Sequence, residues 1–143
     1  AGEEGPPAYI SGALDALRVE RIDHGVRCLE DAALVQRLVR DRIALTVCPL
    51  SNVKLCVFPT LAEHNLPRLL DAGLVAMVNS DDPAYFGGYL NDNLLQTFEA
   101  LPQLGARQAY ALLRNSLEAS FASAGQKAQW VAALDRSFAD VAA

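Results

Sequence analysis

Apolar residues recur at helical spacing from Tyr9 to about Arg18, through Ile10, Ala13, Leu14 and Leu17. Residues 1–8 read as a loop in which Pro6 and Pro7 fit a helix entrance. Val19–His24 then reads as a short strand stopped by Gly25, and Cys28–Arg42 as a second amphipathic helix. Ile43–Cys48 is a continuous apolar run, the kind buried on both faces of a parallel sheet. Pro49–Thr60 reads as a long loop, and Asn65-Leu66-Pro67 opens a short helix that Gly73 ends. Leu74–Asn79 is a third buried strand, followed by a second long loop, Ser80–Tyr89. Helices are expected over Asn91–Leu101 and Ala106–Phe121, and a last one runs through Trp130 to Val141. For that last helix Ser123 and Gln126 form a candidate capping box.

Strands alternating with helices imply right-handed βαβ units and a parallel sheet, an α/β fold. Three strands alone would leave two bare apolar edges, which natural sheets avoid. The expectation is the back part of a larger sheet or barrel, the alternative a small complete α/β domain. Composition narrows the classes. At 143 residues and 52% hydrophobic, the chain has material for one core. No apolar run approaches a membrane span. A net charge of -5, with Lys54 and Lys127 the sole lysines, argues against nucleic-acid and anionic-membrane partners. Cys28, Cys48 and Cys56 are odd in number and lack metal spacing, which fits a reducing cytoplasm. No secretory leader is read. The chain begins at Ala1 rather than at Met, so more sequence is expected upstream.

Active sites of parallel α/β folds lie at the carboxyl ends of the strands. All three predicted ends are polar: Asp23-His24-Gly25, Cys48-Pro49-Leu50-Ser51-Asn52 and Asn79-Ser80-Asp81-Asp82-Pro83. Two adjacent carboxylates cannot point the same way. One of Asp81 and Asp82 can reach a metal while the other meets substrate or a proton, or one caps a helix and the other is solvated. His24 has the chemistry of an acid–base group, a ligand or a satisfied polar residue. By spacing alone Glu3 is a solvated loop glutamate, Cys48 a buried strand-end residue and His64 a structural or capping group. Gly87-Gly88 is too weak a signal for a phosphate loop.

Five segments in order resemble the adenosine/adenine deaminase family of zinc-dependent amidohydrolases. They are Ala1-Gly2-Glu3, Arg21-Ile22-Asp23-His24-Gly25, Cys48-Pro49-Leu50-Ser51-Asn52, Leu69-Leu70-Asp71-Ala72-Gly73 and Asn79-Ser80-Asp81-Asp82-Pro83. The resemblance implies a TIM-type (β/α)₈ barrel, of which residues 1–143 are the C-terminal portion of a single catalytic domain, with the N-terminal half absent from this sequence. It implies a Zn²⁺ cofactor with Asp81 as the one ligand in this chain, the remaining histidine ligands lying upstream. It further implies that Glu3 hands a proton to purine N1. His24 orients the water on the zinc and helps deprotonate it, and Asp82 hydrogen-bonds purine N7.

Within the family, Asp23, Pro49–Leu55 and Asp82–Tyr89 look like the adenine deaminase branch, with Tyr85, Phe86 or nearby bulk filling the space of a ribose. The implied reaction is hydrolysis of adenine to hypoxanthine and ammonia in purine salvage, with a small-molecule purine and water as partners. Alternatives are adenosine deamination to inosine, a non-catalytic relative, another hydrolase of the same barrel, or a scaffold. Assembly into a homo-oligomer is left open. The isolated 143-residue chain is expected to fold poorly or aggregate and to be inactive by itself.

Overall fold

The computed structural model describes residues 1–141. Its centre is a three-stranded parallel sheet in the order β1 (Arg21–Asp23), β2 (Ala44–Val47), β3 (Val75–Val78). Register places Ile22 beside Leu45 and Leu45 beside Ala76. Side chains alternate across a strand, so these positions share one face. On that face Ile22, Leu45, Val47, Ala76 and Val78 join a core with Ile10, Leu34, Leu38, Leu66, Leu69, Leu101 and Leu112. The opposite face carries Ala44 and Val75 side by side, and next Asp23, Thr46 and Met77 in one row. Cys48 and Asn79 follow at the same alternation toward the carboxyl end.

The crossovers are helical. α1 (Pro7–Gly12) begins at Pro7, whose missing N–H costs nothing there, and runs into a π-helical turn at Ala13–Leu17. β1 leads into a 3₁₀ turn, Val26–Glu30, and then α2 (Ala32–Arg40). α3 (Pro49–Lys54) follows β2, and α4 (Leu66–Asp71) precedes β3. α5 (Pro83–Phe86), α6 (Leu90–Ala100), α7 (Ala106–Glu118) and α8 (Ala124–Val141) complete the chain. α7 lies on β3, where Asn115 Nδ2 donates to the Ala76 carbonyl at 2.8 Å. No helix among the described residues is long and apolar enough to cross a membrane.

Several local expectations are corrected. The long loops at 49–60 and 80–89 each contain a short helix, because Pro49 and Pro83 sit at first-turn positions and Asp82 caps the second. The predicted helix Cys28–Arg42 is two elements. Asp31 is extended (φ -132°) and its Oδ1 accepts from the N–H groups of Ala33 and Leu34, so the α-helix starts there. β1 is shorter than Val19–His24, since only Arg21–Asp23 find partners on β2. At the last helix half of the capping box forms, with Gln126 N–H donating to Ser123 Oγ at 3.3 Å.

Candidate active site

The three strand ends enclose a cavity of about 250 Å³ lined by Asp23, His24, Thr46, Cys48, Asn79 and Asp81. The backbone turns sharply to form it. His24 and Asp81, both L-residues with side chains, adopt left-handed conformations (φ 64° and 56°). Such strain persists only where surrounding structure enforces it, and it gathers at functional sites. Beside His24, Gly25 (φ 71°) has no room for a Cβ, which would lie 2.8 Å from Leu45 Cδ2. The main chain of His24 is anchored by its N–H to the Thr46 carbonyl at 2.9 Å.

Glu3 reaches the site because residues 1–2 run along the open edge beyond β1. Gly25 N–H donates to the Ala1 carbonyl (3.0 Å) and Arg27 N–H to the Gly2 carbonyl (2.9 Å). Gly2 (φ 69°) is as constrained as Gly25, since a Cβ there would collide with the Ile10 side chain at 2.3 Å. Glu3 is therefore no solvated loop glutamate. Its side chain is only 18% exposed, and Oε1 accepts from Asn52 Nδ2 at 2.7 Å and lies 3.3 Å from His24 Nδ1. At the other side of the ring, His24 Nε2 stands 3.8 Å from Asp81 Oδ2, too far for a direct hydrogen bond. Glu3, His24 and Asp81 thus form a row with the imidazole in the middle.

Asp81 and Asp82 divide as their adjacency requires. Asp81 turns back to His24, while Asp82 Oδ1 caps α5 by accepting from the N–H groups of Ala84 and Tyr85 at 3.0 and 3.1 Å. Asp82 does not line the cavity. Neither do Tyr85 and Phe86, which stack edge to face at 5.0 Å, and Tyr85 is 79% exposed. Asp23 does line it, and its Oδ1 accepts from Thr46 Oγ1 at 2.5 Å.

Sequence reasoning assigned no role to Asn52, Thr46 or Asn79, and took Asp23 only as a mark of the adenine deaminase branch. Asn52 was legible in principle. Pro49 starts a helix at the end of β2, and in a helix residue 52 falls one turn above Cys48, whose carbonyl accepts from Asn52 N–H at 2.9 Å. Asn52 is fully buried, and His64, also buried, bonds to it. His64 Nδ1 accepts from Leu66 N–H at 3.0 Å, the capping role expected of it.

The donor set suits a divalent cation. His24, Cys48 and Asp81 offer ligand atoms all within 4.8 Å of one another. Imidazole and carboxylate are the ligands of catalytic zinc sites. Cys48 is the poorest of the three. Burial, and then the neighbouring carboxylates of Asp81, Glu3 and Asp23, push its thiol up to about 12, far from the thiolate a metal needs. One or two nitrogen and oxygen ligands are fewer than a catalytic zinc holds, so these residues fit as part of a larger set.

Comparison with known proteins agrees with this geometry. The family model described as adenosine deaminase matches residues 1–137. A curated adenine deaminase of Geotalea uraniireducens is 64% identical over 138 residues, 96% of this chain and 39% of that protein. Among solved structures, an adenine deaminase from Arthrobacter aurescens superposes with a TM-score of 0.92 at 51% identity, covering 95% of this chain and 41% of that one. An amidohydrolase from Burkhoderia ambifaria, solved with bound Zn, shares the fold at a TM-score of 0.86 and 23% identity, over 99% of this chain and 40% of that one. The chain spans about two fifths of the length of the relatives it matches. Its three parallel strands and their helices are a portion of a (β/α) barrel of the amidohydrolase type. This chain belongs to the adenosine deaminase family.

Proposed function

We propose that residues 1–143 form the C-terminal portion of a single (β/α)₈ catalytic domain, and that the whole protein deaminates adenine hydrolytically. Adenine and water become hypoxanthine and ammonia, a reaction of purine salvage in the cytoplasm. The observation that carries this reading is the row Glu3–His24–Asp81 at the strand ends. It is supported by relatives named adenine deaminase at 64% identity.

Asp81 would hold a zinc ion together with ligands from outside these residues. When bound, such an ion lowers the pKa of water toward neutrality and so makes hydroxide available. His24 works from its two nitrogens. A proton on Nδ1 serves Oε1 of the Glu3 carboxyl at 3.3 Å, which leaves Nε2 bare toward Asp81. Nε2 is then the acceptor that takes a proton from the attacking water and keeps its lone pair aimed at C6. Glu3 protonates the ring at N1, which removes aromatic stabilisation and makes C6 electrophilic. Asp82 meets N7 with Oδ2, the oxygen its helix cap leaves free, through a proton that one of the two partners must carry. His24 Nε2 then gives its proton to the leaving amino group and the new hydroxyl returns a proton to Glu3, so ammonia departs, C6 becomes a carbonyl and both residues regain their starting forms.

The test is ammonia release by the full-length, zinc-loaded protein from adenine and adenosine at equal concentration. Preference for adenine is expected. Preference for adenosine would keep the residue roles but move the protein to the nucleoside branch. Release from neither, with metal bound, would remove the aminopurine reading.

A further inference from the structure

His64 stands outside the cavity, yet a hydrogen-bonded path leads from it to Glu3. The imidazole is 3% exposed and packs on the Phe58 ring, with centroids 4.4 Å apart. Its Nδ1 accepts from Leu66 N–H at 3.0 Å. A nitrogen that accepts carries no hydrogen, so in the neutral ring the proton is on Nε2. Burial holds this imidazole down at about 4, so the ring is neutral at physiological pH. Nε2–H therefore donates to Asn52 Oδ1, 3.2 Å away. With Oδ1 engaged, the amide presents its NH₂ to the active site, where Nδ2 donates to Glu3 Oε1 at 2.7 Å. An amide N–H can only donate, so Oε1 can only accept. A proton on Glu3 is then favoured on Oε2, because the carbonyl-type oxygen is the better acceptor for Asn52.

The reversed amide has the opposite consequence. Asn52 Oδ1 would face Glu3 Oε1 and draw the carboxyl proton toward itself and away from a substrate. Its NH₂ would meet His64 Nε2–H, setting two donors against each other in a buried site, where an unmade hydrogen bond is costly. An ionised Glu3 favours the NH₂ by itself, but once Glu3 carries the proton it is to transfer, His64 is the group that makes the two orientations unequal.

We infer that His64 is a positioning residue, which locks the Asn52 amide in one orientation and so assigns the transferable proton of Glu3 to Oε2. This rests on the proposed function for its catalytic consequence, but the orientation of Asn52 stands apart from it.

Two substitutions separate positioning from capping. The amide of H64N falls near Nδ1, so it can still accept from Leu66 N–H but cannot donate to Asn52. The amide of H64Q reaches the place of Nε2, so it can donate to Asn52 but loses the cap. In the full-length, zinc-loaded protein acting on adenine, H64N is expected to lower kcat by about 10²-fold, the scale of a misplaced catalytic group. KM should change by less than about threefold, because the proton is needed in the transition state. H64Q should restore kcat to within about fivefold of wild type. A neutron crystal structure of H64N, which tells amide nitrogen from oxygen, should show the Asn52 amide turned and its donation to Glu3 lost. Undiminished kcat in H64N, or equal loss in both variants, would overturn the inference. If wild type proves inactive on adenine, the function fails, and the H64N structure still decides. A turned amide supports positioning, and an unmoved one refutes it. Should neither variant fold, long-range ¹⁵N–¹H spectra of wild type apply. An Nε2–H tautomer of His64 is expected, and an Nδ1–H tautomer would rule the path out.

Discussion

Glu3 and Asp81 lie on opposite sides of the His24 ring, and replacing each should separate two kinds of loss. Asp81→Ala in the full-length protein is expected to lose zinc and activity together, measured as metal content after dialysis and ammonia release. Stoichiometric zinc in that variant would disprove the ligand role. Glu3→Gln should keep its zinc and the bond from Asn52, yet slow turnover by about 10²–10⁴-fold, the usual worth of a general acid. Normal turnover would remove Glu3 from the chemistry. His64 makes a pH prediction. Its imidazole is held at about 4 by burial against an ordinary 6.5, so the unfolded chain binds the extra proton first as pH falls. Stability should decline between pH 6.5 and about 4, by about 3 kcal/mol from this residue alone. Denaturant titrations across that range should show a shallower decline for H64Q, and identical declines would exclude the buried neutral ring. Asp81 and His24 could be singled out from residue type and place at a strand end. Glu3 could not be so read from spacing, because its burial comes from a backbone track along β1.

At the scale of elements, caps and first-turn prolines decide where the chain turns, and these are short-range signals. Asp31 holds two N–H groups at the start of α2. Asp31→Ala should cost about 1 kcal/mol, read as a lower midpoint in thermal or denaturant unfolding, without change in metal content. A shift beyond about 2 kcal/mol would mean that Asp31 does more than cap. The same signals explain the two helices hidden in predicted loops. Pro49 and Pro83 mark first turns as plainly as Pro7 does, but α3 and α5 have six and four residues, too few to show a periodic apolar face. β2 and β3 were legible as apolar runs because both faces are covered. β1 was overextended, since the local pattern does not report that only three of its residues find a partner.

For the molecule as a whole, the sheet is the issue. Among the described residues β3 pairs only with β2, and β1 is flanked on its far side by just the first residues of the chain. Tyr9, Leu17, Tyr89, Leu95 and Phe121 are exposed in addition. Expressed alone, the 143-residue chain is expected to aggregate or melt without cooperativity, since open parallel edges recruit other strands. A sharp two-state melt of a monomer, by calorimetry and light scattering, would contradict this. Alternation of strand and helix, and polar residues at three successive strand ends, determined the parallel α/β fold and the location of its site. Both follow from local periodicity and from the rule that such strands share one direction. What only tertiary structure decided is which groups meet. Asn52 meets Glu3, 49 residues before it, and His64, 12 residues after it, and those contacts put it in the site, whereas the cap of Asp82 on its own helix is local. No local window of sequence contains both Glu3 and Asn52, so only the folded chain reveals that they meet.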